Sequence, residues 1–143
     1  MIDREAIYTA LFAKLQTAGG FKTYSRHLRH WDDVAPHEQP ALFLSPVEET
    51  VQPHTATGSR YLMRANVYVY VHSDNTPSVE LNRRLDALTQ TMNTPHPITG
   101  QTTLPVPGVE RCRIEGQIEM DEGLFGEQAF AVVPIVMLVT DAA

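Results

Sequence analysis

Residues 60–72 read RYLMRANVYVYVH, and the alternation in this stretch decides the fold class. The odd positions Tyr61, Met63, Ala65, Val67, Val69 and Val71 are apolar. The even positions Arg60, Leu62, Arg64, Asn66, Tyr68, Tyr70 and His72 mix basic, aromatic and polar groups. A period of two places the sets on opposite faces of a strand. The odd set therefore faces a core. The even set is either solvated or a contact surface.

Working outward, Pro40 opens a second strand, ALFLSPVEETVQ, over residues 41–52. Pro46 inside it implies an edge position or a bulge, because proline has no N–H for the ladder. The polar segment PHTATGS between the two strands reads as the tip of a long hairpin. Upstream, Ile7, Leu11, Leu15 and Ala18 recur at helical spacing, with Asp3 as N-cap and Gly19-Gly20 as terminator. A short strand, FKTYSRH, follows. Downstream, Thr76-Pro77 opens a second helix whose buried stripe is Leu81, Leu85, Leu88 and Met92. Arg83, Arg84 and Asp86 fall off that stripe and are expected in water.

The segment NTPHPITGQTTLPVPGV is long for a structureless connection in a compact domain, which points to a functional or disordered loop. ERCRIEGQIEMD then reads as one strand with Cys112, Ile114, Ile118 and Met120 facing in. The turn EGLFG leads to EQAFAVVPIVMLVTD, apolar on both faces. Such a strand has helices on one side and something else, a neighbouring subunit for example, on the other. Pro134 within it implies a bulge or an edge met by another chain. Hairpins dominate this order. The expected fold is α+β: a mostly antiparallel sheet of four to five strands with two helices packed on one face. Residues 1–143 are expected to form one domain.

Composition narrows the function. The formal charge is −6, and 43% of residues are hydrophobic. The acidity argues against a nucleic-acid binder, which usually carries a basic excess or stripe. One cysteine, Cys112, excludes an intrachain disulfide and is compatible with a reducing compartment. The N-terminal MIDREAIYTALFAKL reads as a helix and not as a signal peptide. The longest apolar run, 129–139, contains Pro134 and is far short of the ~20 residues that cross a bilayer. A soluble protein made in a cytoplasm is expected.

Residues 23–44, TYSRHLRHWDDVAPHEQPALFL, gather His27, His30 and His37 with Asp32, Asp33 and Glu38. A metal is disfavoured here. His27 and His30 face opposite ways on an extended strand, and Arg26 and Arg29 flank them. His37-Glu38 starts an H-E-x-x-H pattern, but Ala41 stands where the second histidine would be, and Pro40 forbids the helix. An acid–base site lacks a nucleophile and a paired base. The plainer reading is a turn anchored by a buried Trp31, with its acids solvated. Cys112 reads as a small buried hydrophobe. Gly123–Gly126 reads as a hairpin turn and not a phosphate loop. The face of Arg60, Arg64, Tyr68 and Tyr70 has the composition of a base-stacking platform or of a protein interface. The net charge favours the interface. No metal, cofactor or catalytic residue is assigned.

The order of motifs carries a resemblance. SRHLRHWDDVAPHEQPALFL is followed by NVYVYVHS, PSVELNRRLDAL and QTTLPVPGVERCRIEGQIEMDEGLFGEQAFAVVPI. Trp31 with Gln39–Phe43 is the closest part. Next come the helix with Leu81-Asn82 and Leu85–Leu88, and the ending Gly126–Ala129 through Val133-Pro134-Ile135. Together these span most of residues 20–136, and the chain resembles the tail terminator (tail completion) proteins of long-tailed bacteriophages. The resemblance implies a virion structural protein and not an enzyme. It implies a homo-hexameric ring at the head-proximal end of the tail tube, which ends tube growth and joins the tail to the head connector. Its implied partners are itself, the tail tube protein and the head–tail connector protein, with DNA passing through the ring without specific binding. Its implied location is the head–tail junction of the virion, after assembly in a host cytoplasm and without a membrane. Arg60, Arg64, Tyr68, Tyr70 and Phe125 are the interface residues chosen by type. Two other readings stand beside this one: another head–tail joining or neck protein of the same particle, and a small metal-dependent enzyme using the His27–His37 cluster.

Overall fold

The computed structural model describes residues 1–53, 55–56, 58–98, 100, 103–123 and 126–141. Helices α1 (Arg4–Leu15) and α2 (Pro77–Asn93) accompany strands β1 (Thr23–Ser25), β2 (Ala41–Pro53) and β3 (Ser59–His72). Strands β4 (Val109–Ile114), β5 (Glu119–Gly123) and β6 (Gly126–Asp141) complete the set. The strand order is β1-β2-β3-β6-β4, with β5 pairing the other half of β6. Only β1 and β2 run parallel. This is the expected α+β architecture. The sheet has six strands, and the extra one arises inside ERCRIEGQIEMD. Gly116, at φ +123°, lies in the break between β4 and β5.

Local chemistry starts each helix. The Asp3 carboxylate accepts from the Ala6 N–H at 3.0 Å and caps α1. Thr76 occupies the N-cap position of α2 without a side-chain cap bond, and Pro77 follows it. Proline lacks an N–H, so one of the orphan donors of the first turn is already absent. Ile7, Leu11, Leu15, Leu81, Leu88 and Met92 pack with the odd row of β3 and with Ala129, Ala131, Val133, Ile135 and Met137 of β6. Both helices thus lie on one sheet face. Arg84, expected in water, is instead drawn onto the turn that follows α1. Its guanidinium donates to the Gly19 carbonyl at 2.7 Å and lies over the Phe21 ring.

Strand β6 is central, between β3 and the β4/β5 edge. Pro134 therefore marks neither a sheet edge nor a register shift in the pairing with β3. It pairs with Asn66 on one side, and on the other its carbonyl accepts from the Glu115 N–H at 3.1 Å. A strand residue aims its N–H and C=O toward the same neighbour. The missing donor of Pro134 therefore faces the gap between β4 and β5, and the β3 ladder loses nothing. Pro46 does produce a bulge, with a register shift between Pro46 and Glu48.

Three side chains differ from the sequence reading. Met120 shares the helix-side face with its partner Ala131, yet it is 60% exposed. Trp31 is half-buried, not buried, in a 3-10 turn over Trp31–Asp33. Leu104, inside the proline-rich connection, is buried in the core. Its neighbour Thr103 donates to the Val109 carbonyl at 3.3 Å, so this end of the connection is tied down.

Candidate functional site

The face of the sheet away from the helices is built from the even rows of β3 and β6. Directly opposed residues share a face. The register therefore brings Arg60, Leu62, Arg64, Asn66 and Tyr68 beside Thr140, Leu138, Val136, Pro134 and Val132. Strand β4 adds Arg111 beside Leu138 and Arg113 beside Val136.

One end of this face is covered by the chain itself. Residues 26–39 fold back as two 3-10 turns, Trp31–Asp33 and Pro36–Glu38. Val34, Ala41, Phe43 and Tyr70 form a second core there, with Trp31, Tyr68 and Phe130 packed on it. Phe43 and Tyr70 lie 5.3 Å apart, and Phe130 meets Tyr70 edge-on at 6.5 Å. The Tyr70 hydroxyl donates to the Arg29 carbonyl at 2.7 Å. Burial pushes this phenol up to about 12. Arg29 stacks over Phe43 and pairs with Glu38 at 3.0 Å. A reciprocal amide pair locks the segment to β6. Gln39 Nε2 donates to Gln128 Oε1 at 3.0 Å, and Gln128 Nε2 donates back to Gln39 Oε1 at 2.9 Å.

The rest of the face carries charges over an apolar floor. Arg60 pairs with Glu110 at 3.0 Å and Arg64 with Glu48 at 3.4 Å. Val136 is fully buried between its register partners Arg64 and Arg113, whose alkyl stems can cover it. Leu62, Leu138, Val132 and Pro134 are half-buried. Of the residues singled out from sequence, Arg60, Arg64 and Tyr68 lie together on this face. Tyr70 is 5% exposed and engaged within its own chain. Phe125 lies outside the described residues. Sequence reading missed Arg111, Arg113 and Leu138 as members of the same face. Their alternation was visible, but the β4–β6 register that joins them to Arg60 and Arg64 was not.

The histidine-rich segment is not gathered into a centre. His27, His30 and His37 are exposed. His30 Nδ1 accepts from the Asp32 N–H at 3.1 Å, which is a cap bond of the first 3-10 turn. Arg26 is held by Glu5 at 2.6 Å. Among the described residues, these histidines and their acids form no group of three with converging donor atoms. Cys112 is buried, and desolvation pushes its thiol up to about 12, which suppresses the nucleophilic thiolate. Cavities are present among the described residues. One, about 490 Å³, is lined by Trp31, Asp32, Gln39, His72, Glu127 and Gln128. Another, about 460 Å³, lies between α1 and the chain after α2, against Ala13, Lys14, Pro95 and Pro97. No helix among the described residues is long and apolar enough to cross a membrane.

The architecture thus belongs to the α+β class with a mostly antiparallel sheet and both helices on one face. No family model and no curated protein matches the chain. Among solved structures, a chain of the virion of native gene transfer agent (GTA) particle is similar, with a TM-score of 0.60 and 12% identity. The likeness covers 95% of this chain and 98% of that one. At that identity it establishes a shared fold.

Proposed function

We propose that this protein is a structural subunit of a phage-type virion, and in particular a tail terminator. In this reading, subunits form a homo-hexameric ring at the head-proximal end of the tail tube, stop its growth and receive the head connector. The observation that carries the proposal is the end-to-end likeness of fold to a chain of a gene transfer agent virion. The order of motifs from Trp31 to Ile135 supports the narrower assignment.

The open sheet face supports an assembly role. Arg60, Arg64 and Tyr68, with Arg111 and Arg113 beside them, surround Leu62, Leu138 and Val132, and arginine and tyrosine over apolar residues are what protein interfaces enrich. Tyr70 belongs to the small core against which Tyr68 packs at one end of this face. The charge of −6 suits a channel for DNA, because phosphates are held by basic groups and are repelled by acidic ones. The activity required is binding, with no chemical step.

The test is the mass of the particle formed. The purified chain is weighed in solution and again after addition of tail tubes, by analytical ultracentrifugation and by electron microscopy of the tube ends. A ring on one end of each tube is expected. Arg64→Glu, which breaks the pair with Glu48 and reverses charge at the centre of the face, should impair ring formation. A chain that stays monomeric at high concentration and ignores tubes would overturn the proposal. Normal assembly by the Arg64 variant would remove this face from the interface.

A further inference from the structure

A second cluster, far from the histidine-rich segment in sequence, brings three ligating side chains together. His72 ends β3, Glu127 begins β6, and Asp74 lies in the turn between β3 and α2. Their donor atoms all lie within 4.8 Å of one another. His72 Nε2 is 3.3 Å from Glu127 Oε2. The backbone fixes all three. His72 pairs in register with Gln128, the Ser73 N–H donates to the Glu127 carbonyl at 3.0 Å, and the Ser73 hydroxyl accepts from the Asn75 N–H at 3.2 Å.

Several surface acids are neutralised by an arginine, and those of this cluster are not. Glu5, Glu38, Glu48, Glu49 and Glu110 each have an arginine within 3.4 Å. Among the described residues, neither Asp74 nor Glu127 pairs with an arginine or lysine. Two carboxylates therefore converge on one imidazole with no fixed cation to offset them. The cavity of about 490 Å³ opens beside them, with His72 and Glu127 in its wall and Asp32 also contributing to it.

We propose that His72, Asp74 and Glu127 form a binding site for a divalent first-row metal ion of the Zn²⁺ class. One imidazole nitrogen with two carboxylate oxygens suits that class better than Mg²⁺ or Ca²⁺, which take oxygen ligands alone. Zinc holds nitrogen and oxygen ligands at about 2.0–2.2 Å, so tetrahedral donors sit about 3.3–3.5 Å apart. The His72–Glu127 separation already meets that value, and Asp74 closes by side-chain rotation in an exposed turn. Three protein ligands leave a coordination position open, as in zinc sites that keep a water. That position would face the cavity. A bound ion would also staple the end of β3 to the start of β6, on the flank of the Gln39–Gln128 lock. This inference is independent of the assembly proposal, and either can fail alone.

The test uses the full chain, freed of metal by chelator dialysis. Zn²⁺ alone is titrated calorimetrically, and Co²⁺ is used as a visible-absorption probe of the ligand set. One saturable ion per chain is expected. His72→Ala should abolish the Co²⁺ band. Asp74→Asn and Glu127→Gln preserve shape and remove charge, and each should weaken binding at least tenfold. Should His72→Ala fail to fold by circular dichroism, the two amide variants decide the matter. His30→Ala and His37→Ala should change nothing. Absence of one-to-one binding would overturn the proposal. So would affinity unchanged in Glu127→Gln and Asp74→Asn, or binding lost with His30→Ala.

Discussion

Replacing Gln128 with leucine should cost about 2–3 kcal/mol of stability, and the structure says where the loss arises. Gln39 and Gln128 are 4% and 5% exposed. Gln128 accepts one hydrogen bond from Gln39, donates one back, and donates a third to the Ala129 carbonyl at 3.1 Å. Leucine keeps the volume and abolishes all three. Gln39 then holds an acceptor and one donor proton without their partners at a buried position beside the cavity. Each stranded buried polar group costs roughly 1–3 kcal/mol. Access of water from the adjoining cavity pulls the sum toward the lower end. A chain of this size holds only about 5–15 kcal/mol in total. Urea unfolding is the assay, followed by far-UV circular dichroism and by the fluorescence of Trp31, the only tryptophan, which packs on the segment that the pair secures. With a slope near 2 kcal/mol per molar, the midpoint should fall by about 1 M. The double variant Gln39→Leu/Gln128→Leu leaves no amide stranded, so it should lose clearly less than the two single losses added together. A single-variant loss under about 0.5 kcal/mol, or strict additivity, would mean that the amide pair does not secure the segment.

Gly108→Ala should destabilise by more than about 1 kcal/mol, because φ is +89° and a Cβ would sit 2.7 Å from the Thr140 carbonyl oxygen. Gly19→Ala meets nothing within 4 Å and should stay within about 0.5 kcal/mol, so parallel thermal melts check the pair. Stability should decline as pH rises from about 9 toward 12. The Cys112 thiol and Tyr70 phenol are both pushed up to about 12 in the folded chain, so the folded state keeps protons that the unfolded state releases. Their contribution is complete below the unfolded values and is lost through the folded ones. Cys112→Ala with Tyr70→Phe should flatten part of that slope in melts across pH 7–11. Native Cys112 should resist alkylation at pH 8 until urea exposes it, and rapid modification of the folded chain would contradict its burial.

Much of the fold was legible because it rests on local periodicity. The odd row of β3, the stripes of both helices, the Asp3 cap and the Pro46 bulge all follow from spacing or turn chemistry. What failed depended on partners distant in sequence. Pro134 reads as an edge residue from its own strand alone, and only the break at Gly116 on the neighbouring strands makes room for it in a central position. Arg84 reads as solvated until the turn after α1 supplies the Gly19 carbonyl. Tyr70 reads as a surface aromatic until residues 26–39 fold over it. Of the candidate interface, the β3 row was visible, while its continuation through Leu138, Arg111 and Arg113 required the register. The cluster of His72, Asp74 and Glu127 was hidden for the same reason. Glu127 is 55 residues beyond His72, and neither spacing nor composition joins them. The conspicuous cluster, His27 to His37, was local in sequence and dispersed in space.

Cryo-electron microscopy of assembled virions, with this chain marked by a fused tag, would locate the proposed ring. Sixfold density for the chain is expected at the head-proximal end of the tail tube, with the β3/β6 face against a neighbouring subunit. Particles that complete their tails and heads without the chain, or density for it elsewhere in the virion, would contradict the proposal.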